Sequence, residues 1–253
     1  MKVNCKKNIK GEKMTEKILS EKRIELLKVI DKYGILTRKQ IHKHVNIAEI
    51  NLFKGTKKLQ ELEFIETYKL ARGYAHYITK KGSEYIGMLN FGYVKSGGSP
   101  NLAILEHNLL VNDCIFQAIS NLKSRGIKSE IQILTEREQL AEIFLTLDLS
   151  RGNASQKKSQ KMRVRNRIPD FILIFNYDET EYKYVYEVEL SKKNTARLKN
   201  KFLWLKDQLI NKTYSNINYM CRDEKMEKYL DQNADKIGLP LDFLRIEESE
   251  EEK

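Results

Sequence analysis

The chain has 253 residues, 46 Lys and Arg against 35 Asp and Glu, and a net charge of +11. That length allows two modest domains, each with its own core. No apolar run approaches the eighteen residues of a membrane span, and the Lys-rich start lacks the apolar core of a secretion signal, so the expected setting is cytoplasmic. Cys5, Cys114 and Cys221 are widely spaced with no CxxC or Cys/His clustering, which reads as reduced thiols.

The charge is unevenly spread. Residues 1–95 hold 21 basic and 10 acidic residues, whereas residues 96–253 hold 25 of each. Arg151 to Arg167 contains seven basic residues and no acid, so the remainder of the second part is acidic. A basic module, a basic loop and an acidic core together suit a nucleic-acid-binding protein.

Residues 1–19 read as a basic, flexible N-terminus. Ser20 is a candidate cap for a helix over about 21–33, with Ile24, Leu27 and Ile30 as its apolar stripe. Gly34 ends that helix and Thr37 caps a short second one. A third follows from about Ala48 to Leu62. Phe64 to Leu70 and Tyr74 to Ile78, joined by Ala71-Arg72-Gly73, read as a hairpin, and Thr79 caps a last helix.

Three helices and a two-stranded wing predict a winged helix-turn-helix over residues 20–91. Its third helix would enter the major groove with Asn51, Lys54, Lys57 and Lys58. Arg38 and Lys39 at the second helix, and Arg72 at the wing tip, are candidate phosphate contacts.

Residues 92–101, with Ser96-Gly97-Gly98-Ser99-Pro100, form a linker by composition. The second domain, residues 102–247, opens with an amphipathic helix to about Leu122 and a strand around 127–134. A polar basic loop over 150–167 carries Lys157, Lys158, Lys161, Arg163, Arg165 and Arg167, side chains suited to phosphate.

Ile168-Pro169-Asp170 then leads into the apolar run Phe171 to Phe175, and Glu187-Val188-Glu189 stands in a second such run. Residues i and i+2 of a strand share a face, so Glu187 and Glu189 point together, with Tyr182, Tyr184 and Tyr186 on the opposite face. Adjacent carboxylates raise each other's pKa unless a cation or a basic side chain lies between them, and dense hard oxygen ligands suit Mg2+ or Mn2+. Asp170, Glu187 and Glu189 are thus candidate metal ligands. A helix over 195–210, a strand near 217–221, a helix over 224–236 and a strand near 243–246 complete an α/β core of four or five strands. Residues 248–253 form an acidic tail.

This order of elements, with Pro169, Asp170, Glu187 and Glu189, resembles the PD-(D/E)xK superfamily of restriction-endonuclease-like, mixed-sheet domains. The resemblance implies metal-assisted phosphodiester cleavage by Asp170, Glu187 and Glu189, with Glu106 on the preceding helix as a further acid. The superfamily's lysine position holds Glu189, leaving Lys192 or Lys193 as candidates to supply that charge; Lys192 is the one carried as catalytic.

A narrower resemblance joins the winged helix to Glu106 through Asp113, Thr135-Glu136-Arg137-Glu138 and the acidic motifs. Together these look like the replication-relaxation proteins and MOBC-type plasmid relaxases. That implies binding of double-stranded DNA at a plasmid transfer or replication origin, nicking of one strand, contact with single-stranded DNA, and relaxosome proteins as partners. The alternatives are an inactive DNA-binding accessory protein or repressor, and a restriction-type endonuclease.

Overall fold

The computed structural model describes residues 19–45, 47–87, 105–146, 164 and 167–247. The expected N-terminal arm except Leu19, the linker, the acidic tail and nearly all of the basic loop lie outside these residues; Leu19, placed in the arm by the sequence, is buried and donates its amide to the Tyr85 hydroxyl at 3.0 Å. Among the described residues no helix is long and apolar enough to cross a membrane.

The N-terminal unit runs α1 (Glu21–Tyr33), β1 (Ile35–Thr37), α2 (Arg38–His44), α3 (Glu49–Glu61), β2 (Ile65–Lys69), β3 (Tyr74–Ile78) and α4 (Lys80–Tyr85). Thr37 starts α2 with a reciprocal cap, its hydroxyl taking the Gln40 amide while the Gln40 side chain takes the Thr37 amide. Burial of Leu26, Leu27, Ile30, Ile41, Leu52 and Leu59 joins the three helices. The strands form an antiparallel sheet in the order β1-β3-β2. β1 is an addition to the expected hairpin: Ile35, Leu36 and Thr37 pair with Tyr77, His76 and Ala75.

The second unit runs α5 (Leu105–Ser124), β4 (Gln132–Thr135), α6 (Glu136–Thr146), β5 (Phe171–Tyr177), β6 (Thr180–Glu189), α7 (Thr195–Ile210), β7 (Asn216–Cys221), α8 (Glu224–Asp235) and β8 (Asp242–Arg245). It is a mixed α/β arrangement on a five-stranded sheet, β4-β5-β6-β7-β8. β4, β5 and β6 pair antiparallel, and β6, β7 and β8 pair parallel through the α7 and α8 crossovers.

Strand alternation divides the side chains between two cores. Phe171, Leu173, Tyr186 and Val188 share one cluster with Cys114, Ile115 and Ala118 of α5. Ile172, Val185 and Ile217 pack on the opposite face against Leu198, Phe202 and Leu205 of α7 and Leu230 of α8. Tyr186 stacks on Phe171 at 4.7 Å, confirming the tyrosines as packing groups across the sheet from the acids.

The two units share buried apolar clusters, Ile35 and Ala75 packing with Leu105 and Leu36 belonging to the same cluster as Cys114 and Ile115, and they also meet through a polar seam. Thr135 and Glu138 cap α6 reciprocally, and the same residues bind α1: the Thr135 hydroxyl donates to the Lys32 carbonyl at 3.0 Å, and Glu138 pairs with the Lys32 ammonium at 3.2 Å. Arg137 donates from Nε to the Asp31 carbonyl at 2.7 Å and from Nη2 to its carboxylate at 3.0 Å, where Asp31 is fully buried. A side chain at Gly34, whose φ is +80°, would lie 2.8 Å from Arg137 Cδ. Gly34 therefore serves both the left-handed turn that ends α1 and the approach of the guanidinium. On the α5 side, the Asn112 amide donates to the Ile35 carbonyl and the Gln40 amide to the Leu109 carbonyl, each at 2.8 Å.

Arg137→Ala removes the guanidinium from a buried carboxylate, and denaturant unfolding should register a loss of about 3–5 kcal/mol. Asp31→Asn in the same chain should recover part of that loss.

Two histidines, one half-buried and one buried, make stability pH-dependent. His44 lies between Tyr33 and Phe116, with ring centroids at 3.8 and 4.5 Å, and His76 is buried in β3. Burial, followed by nearby Lys32 and Lys43 for His44 and Arg38 for His76, lowers each ring to about 4 from an ordinary 6.5. Between those values the unfolded chain takes up protons that the folded chain refuses. Stability is therefore full above about pH 6.5 and falls as the pH drops toward 4. Urea unfolding at pH 7.5 and 5 should differ by about 2 kcal/mol per ring.

Candidate active site

The acidic centre forms where the start of β5 meets the end of β6. Antiparallel pairing of Phe171 with Tyr186 brings Asp170 opposite the Glu187 end of β6. There the Val188 amide donates to Asp170 Oδ2 at 2.7 Å, locking the aspartate between the two glutamates. Asp170 Oδ1 lies 3.4 Å from His107 Nε2 on α5. The Glu136 amide, at the start of α6, donates to the Asp170 carbonyl at 3.1 Å. Asp170 is thereby tied to β6, α5 and α6.

Glu187 and Glu189 are 1% and 4% exposed, a desolvation that demands partners. Lys201 of α7 places its ammonium 2.5 Å from Glu187 Oε1, and Lys193 lies 2.6 Å from Glu189 Oε2. These are contacts by distance: among the described residues neither buried oxygen receives a well-directed hydrogen bond. Lys201 reaches the sheet because it occupies the α7 face that buries Leu198, Phe202 and Leu205.

Burial pushes Glu187 up to about 7, with Asp170 adding to the rise and Lys201 and Lys193 pulling against it. Burial also acts to raise Asp170. The His107 hydrogen bond and charge, Lys201 and the Val188 amide outweigh it and hold the carboxyl below its ordinary value. His107 is raised in turn, first by its hydrogen bond to Asp170. Burial disfavours the Lys193 ammonium, but Glu187 and Glu189 more than compensate and raise its pKa.

Several expected site residues take other places. Among the described residues, no three His, Cys, Asp or Glu side chains form a group that could hold a metal ion, so Asp170, Glu187 and Glu189 do not close into a three-carboxylate cage. The lysines account for this, because each glutamate is drawn to its own ammonium. Lys192 lies exposed with its ammonium over the Tyr229 ring at 5.1 Å, and Lys193 occupies the position at Glu189. Glu106 is exposed in the first turn of α5, where its neighbour His107 meets Asp170 instead. Sequence reasoning missed Lys201; its signal was a lysine three residues after Leu198 and directly before Phe202 on an amphipathic helix.

The basic candidates lie mainly on the N-terminal unit. Asn51, Lys54 and Lys57 are exposed on α3, whereas Lys58 pairs with Glu61 at 3.1 Å. Arg38, Lys39 and Arg72 line a cleft of about 420 Å3 between the starts of α2 and α3 and the β2–β3 turn. Arg167 is exposed three residues before Asp170. Lys157, Lys158, Lys161, Arg163 and Arg165 lie outside the described residues.

No family model matches the chain, and no curated protein matches it. A solved structure to which it is similar is that of restriction endonuclease FokI, at 10% identity, covering 88% of this chain and 68% of that one with a TM-score of 0.23. A superposition that loose carries no argument about fold or chemistry, so the functional reading rests on the residues themselves.

Replacing Lys201 with Met should move Glu187 further up, because the largest influence opposing its burial is lost. A carboxyl-carbon NMR titration should show its midpoint shifted above the parent's value; an unchanged midpoint would mean that Lys201 does not govern this acid.

Proposed function

We propose that the chain binds DNA through a winged helix-turn-helix, residues 20–91, and cleaves one strand by metal-dependent hydrolysis in a PD-(D/E)xK-like domain, residues 102–247. The observation that carries this reading is the placing of Asp170, Glu187 and Glu189 beside Lys201 and Lys193 at one end of the sheet. Mg2+ needs only one or two protein carboxylates, with water and phosphate completing its shell. Asp170 and Glu187 suit that requirement, since both carboxylates are drawn to one end of the sheet and Asp170 adds to the rise in the Glu187 pKa.

A divalent ion bound there would polarise the phosphate and acidify an attacking water. The protein's own part is positioning and charge. The Val188 amide and His107 orient Asp170. Lys201 and Lys193 supply positive charge where the transferring phosphate gains negative charge. Glu189 keeps Lys193 in place.

The narrower role, a cytoplasmic plasmid relaxase acting at a transfer origin with relaxosome partners, draws its support from the sequence resemblance. A second reading is a DNA-binding accessory protein or repressor without nuclease activity. The ion pairs that already occupy Glu187 and Glu189 favour it.

Supercoiled plasmid carrying or lacking its transfer origin, incubated with Mg2+ or Mn2+, separates these readings. The nickase reading expects origin-dependent open circles, abolished by Asp170→Ala or Glu187→Gln and reduced on the order of a hundredfold by Lys201→Met. DNA retention without any metal-dependent nick assigns the second reading, and linear product assigns a double-strand endonuclease.

A further inference from the structure

Ile50 and Phe53 are 62% and 45% exposed, although the buried face of α3 has Leu52 and Leu59 available for packing. They stand one turn apart, and Lys54 and Lys57 follow them at i+4, so two apolar and two basic side chains share one helix face. Arg38 continues this surface. Its guanidinium lies 4.9 Å from the Phe53 ring centroid, while its Nε is shielded and has no hydrogen-bond partner among the described residues. Arg38 also lines the cleft with Lys39, His42, Glu49, Arg72 and Tyr74, a lining with three permanent positive charges and one acid.

An apolar ridge bordered by cations favours a polyanion that also presents methyl groups. Duplex DNA does so: phosphates suit Arg38, Lys39 and Arg72, and the major-groove edge of thymine carries a 5-methyl group that apolar side chains read by contact. Asn51, exposed beside Ile50, has the amide geometry that pairs with adenine.

We infer that the Ile50–Phe53 face of α3, bordered by Arg38, Lys54 and Lys57, reads thymine methyl groups and directs the protein to A·T-containing sites. This rests on the proposal that the N-terminal unit reads DNA. The polar side chains of α3 then anchor the helix, while selectivity comes from two residues that contribute nothing to the core.

The test uses the full chain and a random duplex pool. Duplexes retained by the protein are resynthesised with deoxyuridine in place of thymidine, which removes the methyl groups and leaves every Watson–Crick contact unchanged. The expected result is roughly tenfold weaker binding of the uracil duplex by the parent chain, and no difference between the duplexes for the Ile50→Ala/Phe53→Ala double variant. Both positions are exposed, and a thermal melt of the variant checks its fold; the comparison on the parent chain requires no variant.

Equal binding of thymine and uracil duplexes by the parent chain overturns the inference while leaving DNA binding intact. Failure to enrich any duplex overturns the DNA-reading proposal and this inference with it. Equal binding combined with a self-association that the double variant abolishes assigns the face to a second copy of the chain, and likewise overturns it.

Discussion

The contact between Arg137 and buried Asp31 joins a charge in one unit to a charge in the other, and much of the geometry follows from it. A carboxylate out of water requires a fixed cation, and the guanidinium supplies one, donating one bond to the Asp31 carboxylate and a second to its backbone carbonyl. Arg137 stands in the first turn of α6. Holding that turn against α1 also holds the Glu136 amide, which reaches the Asp170 carbonyl. A line of directed contacts thus runs from the end of α1 to the acid at the start of β5. His107, on a helix whose Asn112 reaches β1, provides a second line to Asp170.

At the centre itself, charge balance explains both the promise of the site and its restraint. Asp170, Glu187 and Glu189 occupy a space that could not hold three bare carboxylates without a large desolvation penalty. Lys201, Lys193 and His107 offset that penalty. The lysines come from the segment after β6 and from α7, so the positive charge at the centre is supplied from outside the strand that carries Glu187 and Glu189. Under the proposed nuclease reading, the same ammonium groups would supply positive charge to a transferring phosphate.

Much of the fold was legible because hydrophobic periodicity and capping residues agree along the chain. Glu21–Tyr33 and Tyr74–Ile78 lie where those signals place them. β1 was not legible, since three residues are too few to show a period and its pairing with β3 is a tertiary event. α6 was also missed, although Thr135-x-x-Glu138 is a capping-box pattern. At the site, two short motifs revealed the acids because strand alternation is local. Lys201 and His107 arrive from separate helices, and Lys193 displaces Lys192 through the path taken by the chain after β6. Such positions depend on packing that no local pattern encodes.

If the N-terminal unit reads DNA as proposed and the seam fixes it relative to the acidic centre, the bond broken must lie at a set distance from the bound sequence. Mapping the nick at single-nucleotide resolution beside a hydroxyl-radical footprint on the same duplex, with Mg2+ or Mn2+ present, measures that distance. The account predicts one nicked phosphate at a constant offset from the footprint. Nicks scattered along the duplex, or a footprint with no nick, would contradict it.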